Sequence, residues 1–365
     1  MTDWNNCKNI LCIRADNMGD LLMSSPAIRA LKETFNCKIS LLTSAMGNWI
    51  ASFIKEIDEV IVADLPWVKT KKPVDEKETK DLIEQLTKKN FDGVVIFTVY
   101  SQNPLPAAML TYLAGIPRRL AYCRENPYNL LTDWVVEKEP FSFIKHQVER
   151  DLDLVRSINA TTQNDKINIE ISKSAKESAI RKIKDAGVDL EREWLIIHPG
   201  VSETKREYPE ENWIGTGKLL RDELDFQLLV TGSSSEKELC TRIRNNIGDN
   251  SFALAGLLSI EEFIALISMA PLVISVNTGT VHIAAATQTP VIVLYALTNP
   301  QHTPWKVKSS VLFYSVKEGL RSKNQVVIYV TENLMEKNLE PPSPAEIINE
   351  TKKLLEKVSE IRVAN

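Results

Sequence analysis

The 365-residue sequence lacks the features that mark several common classes of protein. Its five cysteines are odd in number and form no Cys-x-x-Cys pair, which excludes a zinc ribbon or a disulfide framework and indicates reduced cytosolic thiols. No apolar run approaches the roughly 18 residues of a membrane span, and residues 1–8 lack the layout of a secretion signal. We therefore expect a cytoplasmic protein whose contact with any membrane is peripheral.

Motifs of other enzyme families are missing as well. The absence of G-x-x-x-x-G-K-[ST] and of G-x-G-x-x-G after the first strand argues against a P-loop or an NAD-dependent oxidoreductase, and H-E-x-x-H and G-x-S-x-G do not occur. The formal net charge of -4 argues against a nucleic-acid partner. Asp151-Leu152-Asp153 imitates a D-x-D metal motif. However, residues two apart on the helix predicted at 146–159 do not face each other, so we interpret it as a solvated face.

What the sequence does contain is a regular alternation of short apolar runs and helical patterns. Strands are predicted at 9–13, 38–42, 59–63, 94–99, 194–197, 226–230, 272–276 and 291–294. Helices are predicted at 21–35, 74–89, 146–159, 209–221, 235–245, 260–269, 281–286 and 345–358. Strand–helix–strand order with right-handed crossovers predicts an α/β protein with two doubly wound, Rossmann-like parallel sheets.

The domain organisation follows from a polar stretch at 161–173, which is typical of a linker. We predict a first domain at 1–165, a second at 173–340 and a last helical segment at 341–365. Ligands of such sheets bind beyond the carboxyl ends of the strands, so a central cleft is expected to hold the site.

The first strand leads into a turn that contains Gly19 and Asp20. Gly19 allows either a φ that other residues avoid or the close approach of a ligand. Asp20 is a candidate base at the carboxyl end of the strand, but an aspartate here is also a common helix N-cap. Asp16 competes for both roles, and Ser25 with Pro26 offers a later helix start.

Three turns of the second half are typical of nucleotide binding. The amides of Gly279 and Thr280 open a helix after a buried strand, where the helix N-terminus binds phosphate; a close-packed turn with no ligand is the alternative. Lys205, in the loop after the strand at 194–197, suits a departing diphosphate. A carboxylate at Glu236 or Glu238 suits a ribose, although acidic residues also favour a helix start.

Together these segments resemble glycosyltransferase family 9, the ADP-heptose:lipopolysaccharide heptosyltransferases. The resemblance rests on RADNMGDLLMSSPAIRAL at 14–31, PGVSETKREYPEENW at 199–213 and SVNTGTVHIAAATQTPVIVLYALTNP at 275–300, with support from AGIPRRLAY at 114–122 and SPAEIINETKKLL at 343–355. It implies the GT-B architecture, with an acceptor-side first domain, a donor-side second domain and a last helix that returns to the first domain. It also implies inverting, metal-independent transfer.

The resemblance also implies roles for individual residues. Asp20 is expected to be the general base, with Gly19 in the turn near the acceptor. The residues expected to bind the donor are Lys205, Glu236, Asn277, Thr278, Gly279, Thr280 and His282. The family usually has aspartate where this chain has Asn277, which carries no charge and puts the usual sugar contact in doubt. Two groups of basic residues in the first half are candidates for contact with an anionic acceptor, and ordinary solvated charges are the alternative. They are Arg118, Arg119 and Arg124, and Lys69, Lys71 and Lys72.

The predicted function is transfer of a heptose or similar sugar from a nucleotide-sugar co-substrate, expected to be ADP-linked, to a lipid-linked oligosaccharide of the lipopolysaccharide core. No further cofactor and no protein partner are predicted. Two alternatives remain at this point. A sugar-nucleotide epimerase would need no acceptor, and a non-catalytic sugar-nucleotide-binding protein would release no nucleotide.

Overall fold

The computed structural model describes residues 2–69, 73–336 and 338–364, with side chains described as far as residue 356. The chain divides into two compact units, residues 1–170 and 171–365. The division falls inside the polar stretch at 161–173. The start of that stretch is tied to the first unit, because the Arg29 guanidinium donates to the carbonyls of Asn164 and Lys166, at 2.8 Å each.

The first unit is one parallel sheet covered by helices. Its elements, in chain order, are β1 (Asn9–Ile13), α1 (Met18–Phe35), β2 (Lys38–Thr43), α2 (Ala45–Ala51), β3 (Glu59–Val62), α3 (Glu76–Lys88), β4 (Gly93–Ile96), α4 (Leu105–Leu113), β5 (Arg119–Cys123), β6 (Asp133–Val136) and α5 (Gln147–Arg156).

The second unit repeats this plan and adds helices at its end. Its elements are α6 (Lys173–Asp185), β7 (Trp194–His198), α7 (Glu210–Leu224), β8 (Gln227–Val230), α8 (Lys237–Ile247), β9 (Ser251–Ala253), α9 (Ile260–Met269), β10 (Val273–Val276), α10 (Gly279–Thr287), β11 (Val291–Ala296), β12 (Ser309–Tyr314), α11 (Gln325–Asn333) and α12 (Pro344–Ala364).

Both sheets have the same strand order. It is β3-β2-β1-β4-β5-β6 in the first unit and β12-β11-β10-β7-β8-β9 in the second, and the strands pair in parallel throughout the described residues. In each sheet the order reverses next to its first strand, between β1 and β4 and between β7 and β10. Such reversals leave a crevice at the carboxyl ends of the strands, where α/β proteins bind their ligands. The predicted α/β class is therefore confirmed.

The interiors follow from the apolar runs that predict the strands. The central strands β1, β4, β7, β8, β10 and β11 are almost completely buried, as expected of strands covered on both faces. The last helix contributes Ile347, Ile348 and Leu354 to the core of the second unit, and it packs against α7. Its expected packing on the first domain stays a prediction.

Two expectations concern membrane-spanning segments and the state of the cysteines. None of the helices in the described ranges is long and apolar enough to cross a bilayer. The five cysteines are buried and free.

Gly93, at the start of β4, generates a test of the core of the first unit. A Cβ at this position would lie 2.6 Å from the Trp4 ring, and Trp4 is held by its bond from Nε1 to Asp133, at 3.2 Å. Gly93→Ala should therefore lower the free energy of unfolding by about 1–3 kcal/mol, the range for overpacking, in urea titrations.

Gly319→Ala is the matched control, because its Cβ would meet no atom within 4 Å. We expect a change within about 0.5 kcal/mol, as for ordinary surface positions. Equal effects of the two substitutions would contradict the packing argument.

Candidate active site

The first candidate site lies where β1 passes into α1. The helix begins at Met18 with Asn17 as N-cap, three residues before the predicted start at Leu21. Asp20 is thus the third helical residue. Gly19 is the second helical residue and has no positive φ, so the conformational freedom of glycine is not used there.

The Asp20 carboxylate is held from two sides. Its Oδ1 accepts from Arg14 Nη2 at 3.2 Å, and its Oδ2 accepts from the backbone N–H of Asn17 at 3.2 Å. The second bond closes the helix N-terminus from the third helical position, so Asp20 takes part in the cap, but the N-cap itself is Asn17 and not Asp20. It does not exclude a role as base, because the side chain lies at the carboxyl end of β1, next to the strand-order reversal.

Asp16 lies in the same turn and bridges it to the loop after β4. Its Oδ1 accepts from Gln102 Nε2 at 2.6 Å, and its Oδ2 lies 3.4 Å from Arg14 Nε. Burial raises the pKa of Asp16, and the charge of Arg14 opposes that rise. Beside it lies a cavity of about 280 Å³ whose lining includes Asp16, Trp67, Gln102 and Asn103.

The interpretation of Asp151-Leu152-Asp153 as a solvated face is wrong for Asp151. This residue is only 1% exposed, because α5 packs against α1. Its carboxylate accepts from Ser24 Oγ at 2.6 Å and from Gln147 Nε2 at 2.8 Å. Burial raises its pKa to about 6, and Arg14 is the largest opposing influence. Among the described residues no group of three or more acidic, histidine or cysteine side chains could hold a metal.

The second candidate site lies where β10 passes into α10. Asn277 is 7% exposed, and both ends of its amide are used within the protein. Its Oδ1 accepts from the Ala296 N–H at 3.2 Å, and its Nδ2 donates to the Ala296 carbonyl at 3.2 Å and to Thr298 Oγ1 at 3.1 Å. An aspartate could accept the first bond but could not donate the other two.

The turn itself has the geometry predicted for an anion site. Thr278 is the N-cap and Gly279 the first helical residue, so the N–H groups of Gly279 and Thr280 have no acceptor within the helix. Positive partial charge collects there. His282 lies one turn further on, 5% exposed, with its ring 6.3 Å from that of His302.

The loop after β7 brings a second cation that the sequence analysis missed. Arg206 Nη1 donates to the Asn277 carbonyl at 3.1 Å, which ties this loop to the turn before α10. Glu203 pairs with Arg206 Nη2 at 3.1 Å and with Lys205 Nζ at 3.4 Å. The two cations therefore share one carboxylate at the reversal between β7 and β10. Arg206 directly follows Lys205 in the sequence, which could have indicated it. However, no local feature of the sequence shows which of the two cations belongs to the site.

The structure separates Glu236 from Glu238. Glu236 lines a groove of about 980 Å³ together with Lys205, whereas Glu238 lies outside that groove. The Glu236 carboxylate accepts from Ser233 N at 2.6 Å. It lies so close to Gly200 that any larger residue at that position would displace the Glu236 carboxylate.

His198 ends β7 beside Glu236. Its Nδ1 lies 3.0 Å from Thr231 Oγ1. Burial lowers the pKa of His198 to about 4, against the opposing charge of Glu236, so the ring is neutral at neutral pH.

The placement of Arg118 and Arg119 counts against their predicted acceptor contact. Both lie at the amino end of β5, the opposite end of the parallel sheet from Asp20. Their guanidinium groups donate to backbone carbonyls, those of Asp3 and Asp92 for Arg118 and those of Ile116, Asn129 and Leu130 for Arg119.

The other basic residues considered for the acceptor are placed differently. Arg124 lies at the carboxyl end of β5, where it donates to the carbonyls of Tyr100 and Glu139. Lys69 is exposed, and Lys71 and Lys72 lie outside the described residues.

Two doubly wound units, each with a polar site at its strand-order reversal, define a protein of the GT-B class. The chain belongs to glycosyltransferase family 9 (heptosyltransferase), whose sequence model matches residues 79–329. The family and the fold class expected from the sequence are thereby confirmed, and the chain is a glycosyltransferase.

Individual proteins agree with this assignment. The chain is 25% identical over 309 residues to lipopolysaccharide heptosyltransferase 2 of Escherichia coli K12. The aligned region covers 81% of this chain and 84% of the relative. The family 9 glycosyltransferase from Veillonella parvula shares its fold with a TM-score of 0.76 at 15% identity, covering 97% of this chain and 98% of that one. The structure of E. coli ADP-heptose lps heptosyltransferase II matches with a TM-score of 0.70 at 22% identity, covering 96% of this chain and 99% of that one.

Asn277 generates a test of this site. Asn277→Asp should destabilise the protein by about 1–3 kcal/mol at pH 8, because a buried carboxylate would lose two donated bonds and face the Ala296 carbonyl. Burial should raise the folded-state pKa of the new carboxyl above the unfolded value of about 3.9. The cost should therefore be full above the folded pKa and vanish as the pH falls below the unfolded one.

Urea unfolding at pH 4 and pH 8 measures this difference. Asn48→Asp, at an exposed position on α2, serves as the control and should change stability by no more than about 0.5 kcal/mol. A cost at position 277 that is the same at both pH values would contradict the assigned hydrogen bonds.

Proposed function

We propose that the protein transfers a heptose, or a closely similar sugar, from an ADP-linked donor to a lipopolysaccharide-core acceptor with inversion at the anomeric carbon. One observation carries the proposal. The strand-order reversal of the first unit bears carboxylates, and that of the second bears cations and a helix N-terminus. The first set suits activation of a hydroxyl group, and the second suits a diphosphate leaving group.

The acceptor is assigned to the first unit. Its hydroxyl oxygen attacks the anomeric carbon while Asp20 takes the proton and the bond from that carbon to the diphosphate oxygen breaks. A carboxylate cannot remove the proton of a free alcohol outright, so proton transfer accompanies bond formation. A single direct displacement inverts the configuration. The cavity beside Asp16 and Trp67 has the size and the aromatic and polar lining for an acceptor sugar.

The donor is assigned to the second unit. The amides of Gly279 and Thr280, with Thr278 as N-cap, would bind phosphate oxygens. Lys205 and Arg206 would neutralise the charge that develops on the leaving ADP, so no metal ion is required. Glu236, in the same groove as Lys205, would accept from the ribose. His282 and Asn277 would support the turn from within the protein, since both are buried.

The identities of donor and acceptor rest on the relatives. One is named an ADP-heptose lps heptosyltransferase and another a lipopolysaccharide heptosyltransferase. An acceptor of that kind is lipid-linked, so we place the protein at the cytoplasmic face of the membrane that holds it, in peripheral contact.

The decisive experiment combines purified protein, ADP-heptose and lipopolysaccharide that lacks its heptoses, with and without EDTA. ADP release that requires the acceptor and resists EDTA would support the proposal. Consumption of the donor without acceptor would indicate an epimerase instead. Binding of ADP with no release from any donor would indicate a non-catalytic binding protein.

Asp20→Asn should reduce kcat at least about hundredfold, because a positioned base contributes about 10²–10⁴-fold. The Kd for ADP should stay within about twofold, since the donor is assigned to the other unit. Initial rates of ADP release and calorimetric titration measure the two quantities.

Asp153→Asn, at the surface of α5, is the control and should leave kcat unchanged. Asp16→Asn tests the competing carboxylate. A wild-type rate in Asp20→Asn together with a large loss in Asp16→Asn would transfer the role of base to Asp16.

Arg206→Met should raise the Kd for ADP about tenfold or more, because a hydrogen bond to a charged group contributes about 1.5–3 kcal/mol and 1.4 kcal/mol is a factor of ten. Lys205→Met should act in the same direction. The loss should be smaller for AMP, which lacks the second phosphate.

Calorimetric titrations with ADP and AMP measure both values. Arg242→Met is the control, because Arg242 lines the groove that Lys205 and Glu236 line but pairs with Glu210, at 3.0 Å. An effect of Arg242→Met as large as that of Arg206→Met would show that the groove responds to overall charge rather than to these contacts.

A further inference from the structure

Arg14 is a completely buried arginine that immediately follows β1. Its backbone is fixed on both sides by the neighbouring strand, because its N–H donates to the Leu42 carbonyl at 3.1 Å and its carbonyl accepts from Thr43 Oγ1 at 2.7 Å. The guanidinium is therefore anchored at its base. Within the part of the chain that the structure describes, its Nη1 has no hydrogen-bond partner.

Three carboxylates surround this one cation. Asp20 accepts from its Nη2 at 3.2 Å, Asp16 lies 3.4 Å from its Nε, and Asp151 is the third acidic group whose charge acts on it. They come from three parts of the unit, the β1–α1 turn, α1 and α5. One positive charge thus faces three acidic groups in a buried setting.

Arg150, the other buried arginine near this cluster, does not balance the excess of negative charge around Arg14. Arg150 also acts on Asp151, but its guanidinium is already paired with Glu137 and Glu139, at 2.5 and 2.6 Å. Asp16 and Asp151 have neutral donors of their own in Gln102, Ser24 and Gln147. Of these two arginines, Arg14 is the one that pairs with Asp20.

Resting on the proposed function, we propose that Arg14 is a positioning residue that acts through Asp20. Its guanidinium donates to the Asp20 carboxylate and fixes the direction of that carboxylate beside two further acidic groups. An arginine suits this role, because its Nη2 donates to Asp20 while its Nε lies 3.4 Å from Asp16, and it does not lose its own proton in the working pH range. It can therefore hold the base without competing for the acceptor proton.

The test compares Arg14→Gln, Arg14→Lys and the control Arg29→Gln in the wild-type chain. Arg29 is also buried and also lies in the first unit, but it pairs with Glu56 at 2.6 Å. In Arg14→Gln we expect kcat to fall at least about tenfold, a part of the about 10²–10⁴-fold that a positioned base contributes, with the donor KM within about twofold. The acidic limb of the pH profile of kcat should move up by at least about one pH unit, since loss of a nearby positive charge favours the protonated carboxyl.

Arg14→Lys keeps the charge without the fork, so it should restore the acidic limb while kcat recovers only in part. If Arg14→Gln does not fold, Arg14→Lys still allows the role of Arg14 to be tested. An acidic limb that does not move in Arg14→Gln, or that moves equally in Arg29→Gln, would overturn the proposal, because a purely structural arginine would lower activity without shifting the limb.

A second measurement does not depend on activity. The side-chain carboxyl ¹³C resonance of Asp20, assigned by its loss in Asp20→Asn, reports the titration midpoint in the free protein. That midpoint should rise by at least about one pH unit in Arg14→Gln and stay unchanged in Arg29→Gln. A shifted midpoint in a protein without transferase activity would refute the proposed function alone. An unshifted midpoint in an active enzyme would refute the role of Arg14 alone.

Discussion

The reversal of strand order is the constraint on which both candidate sites depend. In a parallel sheet every strand ends at the same edge, and right-handed crossovers carry the helices to opposite faces on either side of the reversal. The loops after β1 and β4, and those after β7 and β10, therefore diverge and leave a crevice between them. The contact of Asp16 with Gln102 and that of Arg206 with Asn277 each bridge one such pair of loops.

The two sites lie at the same position in the two units, at the strand-order reversal, but their side chains carry opposite charges. In the first unit, carboxylates gather around one guanidinium, that of Arg14. In the second, Lys205 and Arg206 gather around one carboxylate, that of Glu203. The first arrangement suits acceptance of a proton, and the second suits stabilisation of a departing anion. The duplicated architecture supplies positions, and the sign of the side chains supplies the difference in chemistry.

Asn277 shows how a departure from a family pattern can be accommodated. The amide donates to the end of β11 and accepts from it at the same residue, Ala296. A carboxylate cannot do both. The asparagine therefore fixes the turn before α10 to the neighbouring strand, and the anion-binding character of that turn comes from backbone amides, which do not depend on the side chain at 277.

The sequence by itself determined the fold class, the family and most central elements. Strands such as β1 and helices such as α9 have the predicted bounds, because continuous apolar runs and strong periodicity are local properties. The edge strands β6, β9 and β12 were missed, since their partly exposed side chains leave a weaker apolar pattern. The inner strand β5 was missed as well, because it begins with the charged residue Arg119.

Tertiary structure alone decided which polar residues are buried and paired. Asp151 is buried because α5 packs against α1, and Arg118 and Arg119 lie at the far end of the sheet because β5 begins there. Arg14 and Arg206 gain their importance from partners in other segments, such as Asp151 and Asn277. No local pattern contains that information, because charge pairing in the interior depends on which segments the fold brings together.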